Sequence, residues 1–198
     1  AAALARLEAA LEETSLVSAL TTWLSRTPIM GSFYGSEGDA EAVEAYVDAH
    51  LAAYTGIGDE ASARMEAQGI DNIEAVKARF AAASQGAQDF LKPDGDVNRA
   101  RAGLLFIESY RELPLLSWPR RLIDTVVDLE EAMLLFRSHH ARMVERMIGR
   151  RMGTGGSSGV DYLDMTLKYR IFTDLWAVRT MLVKRDALPN PVNPEFYG

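Results

Sequence analysis

Apolar residues recur at three- and four-residue intervals along nearly the whole chain, a spacing that predicts helices. Residues 1–13 carry Leu4, Leu7 and Leu11 on one face with no capping residue ahead of them, so the chain is expected to begin part-way through a larger protein. Ser15 is placed to cap a helix bearing Leu16, Leu20, Trp23 and Leu24, closed by Thr27-Pro28 because a residue before proline avoids helical angles. Residues 40–55 and 59–91 predict an antiparallel helical pair joined near Gly56-Ile57-Gly58, and Lys92-Pro93-Asp94-Gly95 is turn chemistry. Further helices are expected from about Val97 to Arg111, from Pro119 to Arg151 and from Asp161 to Lys184, with a glycine-dense segment, Gly153 to Gly159, between the last two. No strand-like alternation of useful length occurs. The expected fold class is all-α, a helical bundle.

On the longest predicted helix, Leu122, Val126, Leu129, Met133, Phe136, His140, Val144 and Met147 form one apolar stripe. His140 lies in it, and the adjacent His139 falls about 100° round the helix. An imidazole on an apolar face must hydrogen-bond, stay neutral or bind something. By position alone a satisfied core histidine is the commoner outcome, and a metal or heme ligand is the alternative. Heme needs one protein ligand and an apolar slot, to which Phe136 and Val144 would contribute one turn either side. A non-heme carboxylate site involving Glu130, Glu131 or Glu145 stays open, although these lie off the stripe.

Composition narrows the chemistry. With no cysteine among the 198 residues, disulfides, iron–sulfur clusters and thiolate nucleophiles are excluded. Only one further histidine, His50, is present, which makes a four-ligand zinc site hard to build. The net charge of −7 argues against nonspecific nucleic-acid binding. No apolar run has membrane-spanning length and the acidic start does not read as a secretory signal, so a cytoplasmic location without membrane association is expected. The backbone amides of Gly153–Gly159, with Thr154 and Ser157, could cradle an anion, or the segment could be a plain linker. It lacks the Gly-Lys-Ser/Thr ending of a nucleotide-binding loop.

His-His-Ala-Arg-Met-Val-Glu-Arg-Met-Ile-Gly (139–149) followed by Gly-Thr-Gly-Gly-Ser-Ser-Gly (153–159) closely resembles the tryptophan 2,3-dioxygenase family. There, too, a histidine precedes the loop threonine by fourteen residues, as His140 precedes Thr154. Trp23-Leu24-Ser25-Arg26-Thr27-Pro28, Tyr110-Arg111-Glu112-Leu113-Pro114 and Tyr162-Leu163 support the likeness, which is weakest over residues 35–95. The resemblance implies a bundle of the tryptophan/indoleamine dioxygenase type: a homotetrameric heme b enzyme that adds dioxygen across the indole 2,3-bond of L-tryptophan to give N-formylkynurenine. It implies His140 as proximal iron ligand, Phe136, Val144 and Gly153 beside the cofactor, and Thr154, Gly155 and Gly156 at the substrate's ammonium and carboxylate. Residues 1–198 would be one heme-binding helical domain, the C-terminal portion of a larger one, with 39–91 as a helical-pair insertion. The family's distal residues lie upstream in chain order, so no catalytic residue is expected within this chain. The family's usual Trp-Arg-Tyr-X-His is here Phe136-Arg137-Ser138-His139-His140. That departure leaves two alternatives: a relative that mono-oxygenates a substituted tryptophan, or a heme-binding module without a complete substrate pocket.

Overall fold

The computed structural model describes residues 15–150 and 159–198. Seven α-helices occur among them: α1 (Leu16–Leu24), α2 (Asp39–Ala67), α3 (Ile73–Leu91), α4 (Arg99–Ser109), α5 (Ser117–Ile148), α6 (Val160–Thr166) and α7 (Thr173–Ala177). Short 3-10 turns join them and no strand is present among the described residues, so the fold is all-α. None of these helices is long and apolar enough to cross a membrane. The amphipathic segment expected over residues 1–13 lies outside the described residues.

The chain divides into two compact units, Trp118–Trp176 and the residues on either side of it. The flanking unit is built round α4, which is buried from Ala102 to Ser109 and therefore cannot show the one-sided pattern of a surface helix. Gly103 allows the closest approach: a Cβ there would meet Thr27 Oγ1 at 2.7 Å and also strike the Leu24 carbonyl at the end of α1. Phe106 packs against Tyr46, Tyr110 and Tyr197, with ring centroids 5.2, 4.6 and 5.6 Å away. Arg99 fastens the edge of this core, donating to the carbonyls of Ser25 (2.8 Å) and Thr27 (3.1 Å) and pairing with Asp39 of α2 (3.0 Å).

Ser15 caps α1 as expected, its hydroxyl accepting the Ser18 N–H at 3.1 Å, and the helix ends before Thr27-Pro28. The antiparallel pair also forms, shown by Phe80 against Gly58, Lys77 against Glu66 and Lys92 against Asp48. Its joint, however, is not at Gly56-Ile57-Gly58. Helix α2 runs straight through, because glycine at 58 serves a close contact: a Cβ would lie 3.2 Å from that of Phe80. The turn comes at residues 68–72, where Gly69 and Asn72 take left-handed backbone angles (φ 68° and 66°).

In the second unit, α5 matches its sequence pattern, with Pro119 in the first turn and Gly149 (φ 64°) ending it by donating to the Glu145 carbonyl at 2.8 Å. The single helix expected over 161–184 is instead broken after Thr166 and resumes at Thr173. A continuous helix would send the N–H groups of Ile171 and Phe172 to the carbonyls four residues back. Glu130 of α5 takes both with its carboxylate, 3.2 Å from the Phe172 nitrogen.

Candidate functional site

The sequence places His140 on an apolar stripe, and the stripe exists, but it is not the face that α5 buries. Pro119, Ile123, Val126, Val127, Glu130 and Ala141 are buried, on a face centred roughly 90° round the helix from His140. Leu122, Leu129, Phe136 and Met147 of the predicted stripe are exposed, Phe136 at 69% and Met147 at 76%. Met133, His140 and Val144 are half-buried. From Leu129 to Met147 the stripe therefore presents an apolar surface about five turns long that includes an imidazole, and several such residues together exceed the scatter of single exposed side chains normal for a surface.

The ring of His140 lies parallel to that of Phe136, one turn earlier, with centroids 6.0 Å apart. It makes no hydrogen bond to a described residue. His139 lies off the stripe beside a shallow depression lined by Arg142, Met143, Arg146 and Met147. His50 supplies the contrast. It is fully buried, its Nε2–H donates to the Met181 carbonyl at 2.8 Å, and burial, outweighing that bond, holds its pKa below the usual histidine value. His50 is thus a core histidine anchored through one ring nitrogen, its Nδ1 buried without a hydrogen-bond partner, and His140 is not a core histidine.

The three carboxylates left open by the sequence behave differently. Glu130 is 2% exposed, and its two oxygens accept the Ile171 and Phe172 amides and the Trp176 indole N–H. Burial alone would raise its pKa, but these donors and the nearby Arg170 charge outweigh burial and hold it below the ordinary carboxylate value. Glu145 is committed to Arg142 (2.5 Å) and Arg150 (3.0 Å), while Glu131 is exposed. Among the described residues no three His, Asp or Glu side chains converge as a metal site. A single imidazole nitrogen on an apolar face suits a planar hydrophobic cofactor held by one axial bond, so the residues present fit heme.

Gly153, Thr154, Gly155 and Gly156 lie outside the described residues. Their flanks are described and are tied together by charge. Arg150, just before the segment, pairs with Asp161 (2.6 Å) just after it, and Arg142 pairs with Asp164. Sequence reasoning overlooked this cluster and the Glu130–Trp176 contact. The first could have been sought as opposite charges bracketing a glycine-rich segment. The second spans 46 residues and leaves no local signal.

A helical chain offering an imidazole from an apolar helix face, with no hydrogen-bond partner among the described residues, is the class these observations define. The family model for tryptophan 2,3-dioxygenase matches residues 2–182. A tryptophan 2,3-dioxygenase-like protein of Xanthomonas campestris pv. campestris is 46% identical over 206 residues, covering 98% of this chain and 74% of that protein. The tryptophan 2,3-dioxygenase of Sorangium cellulosum is 43% identical over 215 residues, all of this chain but 50% of that protein. Tryptophan 2,3-dioxygenase 2 of Ralstonia nicotianae is 45% identical over 192 residues, with 88% and 50% covered. The chain belongs to the tryptophan 2,3-dioxygenase family, and it spans about half the length of the last two relatives.

Proposed function

We propose that this chain carries the proximal side of a heme-dependent oxygenase acting on L-tryptophan, with His140 as the axial ligand. The observation that supports this most is the half-exposed imidazole of His140, without a hydrogen-bond partner among the described residues, on an apolar helix face that is largely exposed. Heme b, when bound, supplies the iron at which dioxygen is activated. The chain's own residues would do the holding: His140 through a ring nitrogen, and Phe136 and Val144, one turn either side, by apolar contact, with Gly153 close to the cofactor edge. Thr154 would hydrogen-bond the substrate's ammonium and carboxylate, with Gly155 and Gly156 letting the backbone approach. The reaction consumes one dioxygen, breaks the indole 2,3-bond and places both oxygen atoms in N-formylkynurenine, so it needs no external reductant. Binding and orientation are the protein's main contribution. A cytoplasmic homotetramer is the corresponding assembly, with residues 39–91 as an inserted helical pair.

A second reading has one observation in its favour. Phe136 stacks on His140 where the family usually has tryptophan, and it brings no ring N–H to the proximal side. A relative that puts a single oxygen into a substituted tryptophan would tolerate that change. It would need a two-electron donor to reduce the other oxygen atom to water.

Absorption spectra of the full-length protein test the ligand. His140→Ala is expected to abolish the Soret band and His139→Ala to retain it; the reverse pattern would sink the assignment. Product mass after incubation with L-tryptophan separates the two reactions, since a gain of two oxygen atoms supports the dioxygenase and a gain of one supports its relative.

A further inference from the structure

We infer that Glu130 and Arg137 are positioning residues that fix the rotation of α5 about its own axis, and with it the direction in which His140 points. The inference rests on His140 being the heme ligand, and its evidence lies wholly within Trp118–Trp176. The two residues are seven apart, so they share a face about 60–80° round the helix from His140. Both grip the break between α6 and α7, and they grip opposite kinds of group. Glu130 accepts the amides of Ile171 and Phe172 and the indole N–H of Trp176. Arg137, one turn before His140, donates to the carbonyls of Tyr169 (3.0 Å) and Thr166 (3.4 Å). Arg170 closes the arrangement, its guanidinium 3.9 Å from the centre of the Trp176 ring.

Two features make this more than a loop anchor. First, apolar packing is nondirectional and lets a helix turn slightly with little loss, whereas hydrogen bonds weaken steeply once misaligned. The ion pairs of Arg142 on α5 with Asp164, and of Arg150 just beyond its end with Asp161, involve side chains 32–60% exposed, where water screens ion pairs. Glu130, at 2% exposure, keeps its full directional strength. Second, the tolerance at a metal is small. With a side-chain radius of about 5–6 Å from the helix axis, a rotation of about 10° moves a ring atom by about 1 Å. A metal–ligand bond accepts about 0.2 Å.

The test uses the full-length protein with Glu130→Gln, which preserves shape but replaces one acceptor by a donor, and Arg137→Gln as an independent second variant. Three readouts are taken: heme affinity, the iron–histidine stretching band in the resonance Raman spectrum of the ferrous protein, and the rate at which diethyl pyrocarbonate modifies His140 in the heme-free protein. Both variants are expected to shift the stretching band, to weaken heme binding about tenfold, as outer-shell changes at metal sites do, and to change the His140 modification rate while leaving His139 unaffected. Lower melting temperatures with all three readouts unchanged would overturn the inference and leave a purely structural anchor. If the unaltered protein takes up no heme, the ligand assignment fails on its own, and the modification rate of His140 still decides whether the clamp orients it.

Discussion

The core around α4 and the outer face of α5 are both apolar and both carry a histidine close to an aromatic ring, yet they are opposites. Around α4 the large side chains are enclosed: Phe106 is 1% exposed among three tyrosines, and His50 is fully buried and donates to a backbone carbonyl. On α5 the same kinds of residue stand open, with Phe136 at 69% exposure and His140 lacking a hydrogen-bond partner among the described residues. Burial in the first region does the work of folding. In the second, apolar surface is left where folding of the described residues does not use it, which is what a surface reserved for a ligand or a further part of a protein requires.

The sharpest way to break this comparison is to remove one phenylalanine from each region. Phe106→Ala deletes a ring packed against Tyr46, Tyr110 and Tyr197. It should cost about 3–5 kcal/mol of unfolding free energy in urea titrations, the range for a large aromatic removed from a core. A loss below about 1 kcal/mol would mean that the α4 cluster is not the stabilising core.

The histidines separate the regions next, through pH. Because His50 is buried and its pKa lies below the usual value, the unfolded chain binds its proton before the folded one does. Stability is therefore undiminished above the unfolded pKa of about 6.5 and falls as pH drops below it, by at most about 1.4 kcal/mol per pH unit for one group. Glu130, also held below its ordinary value, loses its contribution in the same direction but in a lower window: it is complete above about pH 4.5 and is lost only under stronger acid. Urea midpoints measured between about pH 7.5 and pH 5 thus isolate the histidine. His50→Leu should be less stable at every pH, having orphaned the Met181 carbonyl, but its pH dependence over that interval should be flatter. An unchanged slope would assign the acid sensitivity to other groups.

How far the sequence reaches differs between the two regions for physical reasons. Helical spacing identifies the all-α class, the Ser15 cap, Pro119 in the first turn of α5 and the stripe containing His140, because these depend on residues within one or two turns of each other. The joint of the α2–α3 pair is misread, since glycine is ambiguous between a turn, as at Gly69, and a close approach, as at Gly58 against Phe80. The break after Thr166 is invisible locally, since a glutamate some forty residues earlier takes the amides a helix would have used. The stripe's exposure is illegible for a similar reason: apolarity shows that a face avoids water, not which neighbour covers it. The family resemblance through residues 139–159 carried the ligand assignment further than position on the helix could.

The smallest expected effect is the most telling for the outer face. Phe136→Ala removes a side chain as large as that of Phe106 but mostly solvated, its one described ring contact being with His140. Folding gains little from a ring that stays in water, so urea stability should change by no more than about 0.5 kcal/mol, as at ordinary surface positions. The change is not expected to be silent for heme, because the ring lies one turn from the proposed ligand and would form part of its apolar wall; heme should bind more weakly with the Soret band retained. If instead Phe136→Ala lowered stability by an amount comparable to Phe106→Ala, the stripe would be covered in the heme-free protein, and the contrast between the two regions would disappear. Weak heme binding with intact folding would show that the apolar surface of α5 is kept for the cofactor rather than for the fold.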